Sequence, residues 1–329
     1  MKRMIQSILT ELNIQPVLVD IGASFASPKV WDPIARNSVY VGFDPDLREM
    51  HDIPHGKFAR SVIVNKAVTS NPDQSAVQFH LTRSPYCSST LLPDTKSLSN
   101  YYFSDMFAVD HTKDVQSISL NAVLKSLSLE HVDWFKTDSQ GTDLRLFRSL
   151  DNANRSRVLA VDVEPGLVDA YVGEDLFVDT HKSLMSEGFW ISRMNVLGSI
   201  RVRHESLVEQ SRSKPELAQG TFGRHVRTSP CWCEARYLRT TEWLLQHAAC
   251  RREFILLWVF AMIDEQPGFA LDVAIAFRHT FGDSKISQIL FAEPSHQLMR
   301  SIAHSKFSLR GIRNGLTWRL KKLIGREGT

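Results

Sequence analysis

The residues most able to do chemistry in this chain stand where apolar runs end on acids. The run Val17–Ile21 carries Asp20 and passes into Gly22, Ala23 and Ser24. About twenty residues further on, a second run, Val39–Phe43, ends on Asp44. A buried run closing on Asp-x-Gly-x presents backbone N–H groups at the carboxyl edge of an open parallel sheet, and an acid closing the next strand is placed to accept both hydroxyls of a ribose. Singly, Asp20 reads equally well as a capping or turn residue, and Asp44 as a turn residue before Pro45. As a pair they point to a ligand that contains an adenosine.

Two further acids close later runs: Asp138 follows Val132–Thr137 and Glu164 follows Val158–Val163. Carboxylates at those strand ends suit proton transfer, or the orientation of a polar group bound at the sheet edge. The plainer readings are a helix N-cap for Asp138, leading toward Gly141, and a turn residue for Glu164 before Pro165-Gly166. Lys136 alternates with Asp138 on one side of its strand, which allows an ion pair between them. His80 and His181 are alternative proton acceptors, although a lone histidine is more often a surface or packing residue.

The elements that must position these groups follow from periodicity. Apolar, β-branched runs at Val17–Ile21, Val39–Phe43, Ser61–Val68, Val77–Thr82, Val132–Thr137, Val158–Val163, Trp190–Val196 and Ser199–Arg203 alternate with helical or loop patterns. Repeated strand–helix units predict a mainly parallel, doubly wound α/β sheet covered on both faces. The last two runs, joined at Leu197-Gly198, read as a closing antiparallel hairpin. Such a hairpin points toward methyl transfer rather than hydride transfer, and Gly-x-Gly-x-x-Gly is absent because the next glycine after Gly22 is Gly42. Glu209 to Pro230 reads as a linker. Beyond it, Tyr237–Ala249, Phe254–Ile263, Phe269–Thr280 and Ser287–His304 carry helical spacing, broken at Pro267-Gly268, Gly282 and Pro294.

Composition sets outer bounds. With 329 residues, the chain is long enough for one large domain and an appendage. The formal charge of +3 is unevenly spread: residues 1–209 hold 21 basic and 26 acidic residues (−5), and residues 210–329 hold 18 and 10 (+8). The basic residues are not interleaved with stacking aromatics, so nucleic acid is not the expected partner. Cys87, Cys231, Cys233 and Cys250 lack the spacing of a disulfide framework or a zinc knuckle, so no metal is expected. MKRMIQSILTELNIQ reads as an amphipathic helix rather than a secretory signal, and no run is long enough to span a bilayer, which together predict a cytoplasmic protein. In the tail, Ile312, Leu316, Leu320, Leu323 and Ile324 share a helical face amid basic residues. That helix either docks on its own domain, the plainer reading, or rests on the inner face of an anionic membrane.

The block Val132–Leu150, VDWFKTDSQGTDLRLFRSL, carries a resemblance. Together with VDIGAS, GFDPD, NKAV, YCSSTLLPD and VEPGLVDAYVGEDLFVD, it resembles the FkbM family of S-adenosylmethionine-dependent methyltransferases over residues 15–206. The first loop departs from the family pattern, with Phe25, Ala26 and Ser27 in place of a second glycine. The resemblance implies a class I methyltransferase domain at 1–206, a Rossmann-like sheet with a terminal antiparallel hairpin, followed by a linker and helical region at 207–329. It implies O-methylation of a sugar, glycan or natural-product hydroxyl. It also implies S-adenosylmethionine held by Asp20, Gly22, Ala23, Ser24 and Asp44, with Asn65 or Ala67 beside the adenine. Asp138 and Glu164 would serve the acceptor. Gln140, Gly141 and the loop residues Tyr86, Ser88 and Ser89 would shape its pocket. A non-catalytic module that keeps the same fold is the competing reading.

Overall fold

Buried β-branched and aromatic side chains build the centre of the sheet. β1 (Val17–Ile21) and β2 (Val39–Phe43) are buried at every position, as parallel strands covered on both faces must be. The computed structural model describes residues 1–23, 27–46, 56–214 and 226–307. The chain divides into two compact units, Met1–Ala248 and Ala249–Thr329.

The first unit continues with β3 (Arg60–Val64), β4 (Ala67–Val68), β5 (Ala76–Thr82), β6 (Val109–Ile118), β7 (Trp134–Thr137), β8 (Ala160–Val163), β9 (Phe189–Ser199) and β10 (Ser229–Arg239). A seven-stranded sheet has the order β3-β2-β1-β7-β8-β10-β9, and β4, β6 and β5 form a separate small sheet. Neighbours are parallel from β3 to β8, whereas β10 runs antiparallel to both β8 and β9. One continuous core joins Val19, Val41, Phe135, Val161 and Tyr237 from five of these strands.

Three sequence expectations are corrected here. The run Ser61–Val68 divides at Asn65-Lys66 into β3 and β4, which belong to different sheets. No turn forms at Leu197-Gly198: β9 runs straight through, and its antiparallel partner is β10, from beyond residue 206. Gly198 serves close approach instead, since a Cβ there would lie 1.9 Å from the Ser229 carbonyl oxygen. The first unit therefore extends to Ala248, and the segment expected to begin a helix at Tyr237 is strand up to Arg239, followed by the short helix Thr241–Gln246.

Arg239 fastens the end of β10. Its fully buried guanidinium donates to the carbonyls of Val158 (3.0 Å), Arg155 (2.8 Å) and Glu187 and stacks on Phe189 and Trp243. The second unit contains the helices Arg251–Ile263, Pro267–Phe281 and Lys285–Phe307, close to the expected spans. Within it, Trp258 Nε1 donates to the Leu290 carbonyl at 2.9 Å. Among the described residues no helix is long and apolar enough to cross a membrane. The basic tail from Ile312 lies outside the described residues.

Candidate functional site

Gly22 is the pivot of the strand ends. Its φ is +80°, and its N–H and that of Ala23 both donate to the Phe43 carbonyl, at 2.9 and 3.0 Å. Asp138 donates its N–H to the Ile21 carbonyl at 2.9 Å, so β7 closes against β1 from the other side. A Cβ on Gly22 would stand 2.2 Å from the Asp138 carbonyl oxygen, so no other residue fits without displacing backbone.

Above this junction lies a cavity of about 610 Å³, within the range of small-molecule sites. Gly22, Asp44, Ala67, Tyr86, Ser88, Asp138, Gln140, Gly141 and Glu164 all line it, so the structure gathers most of the expected site residues in one place. Asp46, Lys66, Tyr171, Glu174 and Trp232 line it as well, and sequence reasoning missed them. Lys66 is the one cation among the described lining residues, against five carboxyls.

Asp44 is buried, and its Oδ1 accepts the Asp46 N–H at 2.7 Å, which is the expected turn role. Oδ2 is the acceptor the turn does not use. Burial first, and then neighbouring carboxylates, raise the Asp44 carboxyl to about 6. Asn65 does not line the cavity; its Nδ2 donates to the Asp44 carbonyl at 2.9 Å and braces that turn.

Asp20 is set apart from the cavity lining. Its carboxylate accepts from Lys136 Nζ at 2.7 Å and from the Tyr40 hydroxyl at 2.9 Å, beneath the sheet edge. The ion pair expected between Lys136 and Asp138 is thus made with Asp20, which the register places directly opposite Lys136 on the neighbouring strand. Burial works against the Lys136 charge, but Asp20 and Asp138 outweigh it and hold the ammonium above its usual range.

The loops after β7 and β8 are held by a buried carboxylate that sequence reasoning read only as part of a helix. Asp143 accepts the Ser139 N–H at 3.0 Å, the Thr137 hydroxyl at 3.1 Å, the Ser139 hydroxyl and the Glu164 N–H at 2.7 Å. It therefore clamps the loop after β7 to the loop after β8. Burial raises its carboxyl to about 6. The only early signal was its place four residues after Ser139, the interval of a local side-chain turn.

Gln140, at φ +55°, donates through Nε2 to Asp138 Oδ1 at 2.6 Å. Its Oε1 lies 2.8 Å from the Tyr171 hydroxyl. Ser89 is buried away from the cavity and donates to the Gln140 carbonyl at 2.7 Å. Ser88 Oγ accepts the Thr82 N–H at 3.1 Å. His80 and His181 do not reach the site: their Nδ1 atoms lie 3.1 Å from Thr112 Oγ1 and 3.0 Å from the Tyr237 hydroxyl. Ser24 lies outside the described residues.

Glu164 is the most displaced acid of the cavity. Burial, reinforced by Asp138 and Asp143, raises it to about 9, so it holds a proton at neutral pH and can donate a hydrogen bond. In the unfolded chain it ionises near its ordinary value, so stability falls as pH rises from that value toward about 9 and levels off above. Between pH 5 and 8, denaturant unfolding of the Glu164→Gln variant is expected to lose about 4 kcal/mol less stability than the native chain does. An equal decline in both proteins would show that the slope comes from elsewhere.

Compared with known proteins, the chain matches no family model, no curated protein and no solved structure.

Proposed function

We propose that the first unit is an S-adenosylmethionine-dependent methyltransferase of the class I, FkbM-like kind, acting on a hydroxyl. The observation that carries this reading is that one cavity combines the Gly22 cradle, the Asp44 carboxyl and the Asp138–Glu164 pair at the carboxyl edge of β1, β2, β7 and β8. The strand order supports it: a dinucleotide-binding sheet runs 3-2-1-4-5-6, whereas here an antiparallel strand is inserted before the last one. The charge supports it too. Even with Glu164 protonated, the other carboxyls among the described lining residues outnumber the single Lys66, which suits a ligand carrying a positive sulfonium and disfavours the pyrophosphate of a nicotinamide dinucleotide.

The residues present fit the cofactor. Asp44 Oδ2 would accept the ribose hydroxyls, and Phe43, Ala67 and Val68 would border the adenine. Gly22 lets the ends of β1 and β7 close on one another, which forms the floor on which the cofactor's amino acid portion would rest. When bound, S-adenosylmethionine would supply an activated methyl group for transfer to the acceptor oxygen, whose proton would pass to a base of this chain. Asp138, steadied by Gln140, is that base. Glu164 keeps its own proton and orients the acceptor oxygen by donating to it. Most of the rate would come from holding the acceptor in line, which Asp143 secures by fixing both loops. Asp20 acts from beneath, as a positioning residue for β1 and β7.

Isothermal titration of S-adenosylhomocysteine into the full chain tests the reading. One equivalent is expected to bind in the micromolar range, and Asp44→Asn to weaken it about tenfold or more. An Asp44→Asn variant that binds as tightly as the native chain would remove the ribose contact, and with it the proposal.

A further inference from the structure

The far end of the cavity has a chemistry of its own. Phe79, Phe103, Met106, Phe107 and Trp232 line it. The Phe103 and Trp232 rings lie within 8° of parallel, with centroids 5.9 Å apart. Phe107 meets Phe103 edge-on at 5.1 Å, and Tyr171 meets Phe107 at 5.6 Å. Both parallel rings are fixed by backbone. The Phe103 N–H donates to Ser199 Oγ at 3.2 Å, and the Tyr102 N–H to the Ile200 carbonyl at 2.9 Å. On either side of Trp232, the Cys231 carbonyl accepts the Leu167 N–H at 2.7 Å, and the Cys233 N–H donates to the Pro165 carbonyl at 3.2 Å.

Ser88, Ser199 and Gln140 around this wall already hold hydrogen bonds, the two serines to backbone N–H groups. Ser88 Oγ accepts from Thr82, Ser199 Oγ accepts from Phe103, and Gln140 spans Asp138 and Tyr171. A sugar lying along the aromatic wall would turn its ring hydroxyls toward carbon on that side, and each hydroxyl left unmatched would weaken binding. A flat apolar ring would instead bury its faces against rigid aromatic surface that is already ordered.

We propose that this end of the cavity is the acceptor subsite and that it takes a planar aromatic alcohol, lying along the Phe103–Trp232 wall with its hydroxyl toward Asp138 and Glu164. This rests on the methyl-transfer reading for the direction in which the hydroxyl points. The choice of base agrees with it. No histidine stands among the described lining residues, so proton removal falls to a carboxylate. A phenolic hydroxyl, ionising near 10 as tyrosine does, asks far less of a carboxylate than a sugar alcohol would.

Calorimetry on the full chain tests this, with 2-naphthol and methyl α-glucopyranoside as probes, each titrated with and without saturating S-adenosylhomocysteine. 2-Naphthol is expected to bind at least about 100-fold more tightly than the glucoside. Trp232→Ala and Phe103→Ala should each weaken it about tenfold or more, and Trp232→Phe should recover most of that loss. S-adenosylhomocysteine affinity should stay within about twofold in all three variants, which also reports that they fold. Glucoside binding as tight as naphthol binding, or naphthol binding indifferent to both aromatic truncations, would overturn the proposal. Failure of S-adenosylhomocysteine to bind the native chain would remove the methyl-transfer reading, while the naphthol titration without it would still decide the subsite.

Discussion

Replacing Gly22 by alanine is expected to abolish detectable S-adenosylhomocysteine binding and to cost about 3 kcal/mol of stability. Two costs coincide at this position. The backbone is in the left-handed region at φ +80°, and the added Cβ would meet the Asp138 carbonyl oxygen at 2.2 Å and its carbonyl carbon at 3.1 Å. Neither side can move freely, because the Asp138 N–H is bonded to Ile21 and the N–H groups of Gly22 and Ala23 are bonded to Phe43. Relief of the clash must therefore pull apart the ends of β1, β2 and β7, which carry the cavity. Gly173→Ala is the control: φ is +71° there, but nothing lies within 4 Å of the added carbon. Only the left-handed penalty of about 1–2 kcal/mol should remain. Denaturant unfolding and calorimetry on both variants measure the contrast. A Gly22→Ala chain that binds within about threefold of the native one would show that the junction is softer than its geometry.

Asp20→Ala is expected to destabilise the first unit by about 3–5 kcal/mol, because it strands a buried ammonium. Lys136 Nζ has Asp20 Oδ1 at 2.7 Å, with the Asp20 side chain only 3% exposed and the Lys136 side chain 24%. The pair is more easily removed than broken: combining Asp20→Leu with Lys136→Met should restore most of the stability, since well-packed apolar replacements of buried ion pairs are often tolerated. The double variant also separates two roles for Asp20. As a positioning residue below the cavity, its removal in a refilled site should leave S-adenosylhomocysteine affinity within about threefold. A loss of a hundredfold in a stable double variant would instead make the Asp20 carboxylate a direct cofactor ligand.

These two residues show how far the sequence could be read. Gly22 was legible because the run Val17–Ile21 is buried at every position and ends where only glycine allows the strands to close. Asp44 was legible for the same reason, and its turn role and its cavity position proved compatible. Asp20 was placed correctly on its strand but not in its contacts. Its partner Lys136 sits across the β1–β7 register, and periodicity along one strand cannot show what faces it on the next.

The larger miss was β10. CWCEARYLR alternates buried Cys231, Cys233, Ala235 and Tyr237 with more exposed residues, but cysteine and alanine are weak strand signals, and 29 residues lie between the end of β9 at Ser199 and the start of β10 at Ser229. That one strand moved the boundary of the unit from 206 to 248 and brought Trp232 into the cavity. β6 was missed for the opposite reason: VDHTKDVQSI is mostly exposed and owes its form to pairing with β5 rather than to an apolar pattern. The helices of the second unit are readable from their apolar spacing, because the breaks at Pro267-Gly268 and Gly282 fall at helix ends; the break expected at Pro294 does not form, and that proline lies inside Lys285–Phe307.

The most direct test is a crystal structure of the full chain with S-adenosylhomocysteine. The account predicts the ribose hydroxyls within hydrogen-bond distance of Asp44, the amino acid portion over Gly22, and the sulfur facing Asp138 and Glu164. Density for the nucleoside away from the Gly22–Asp44 edge, or none at millimolar ligand, would contradict it.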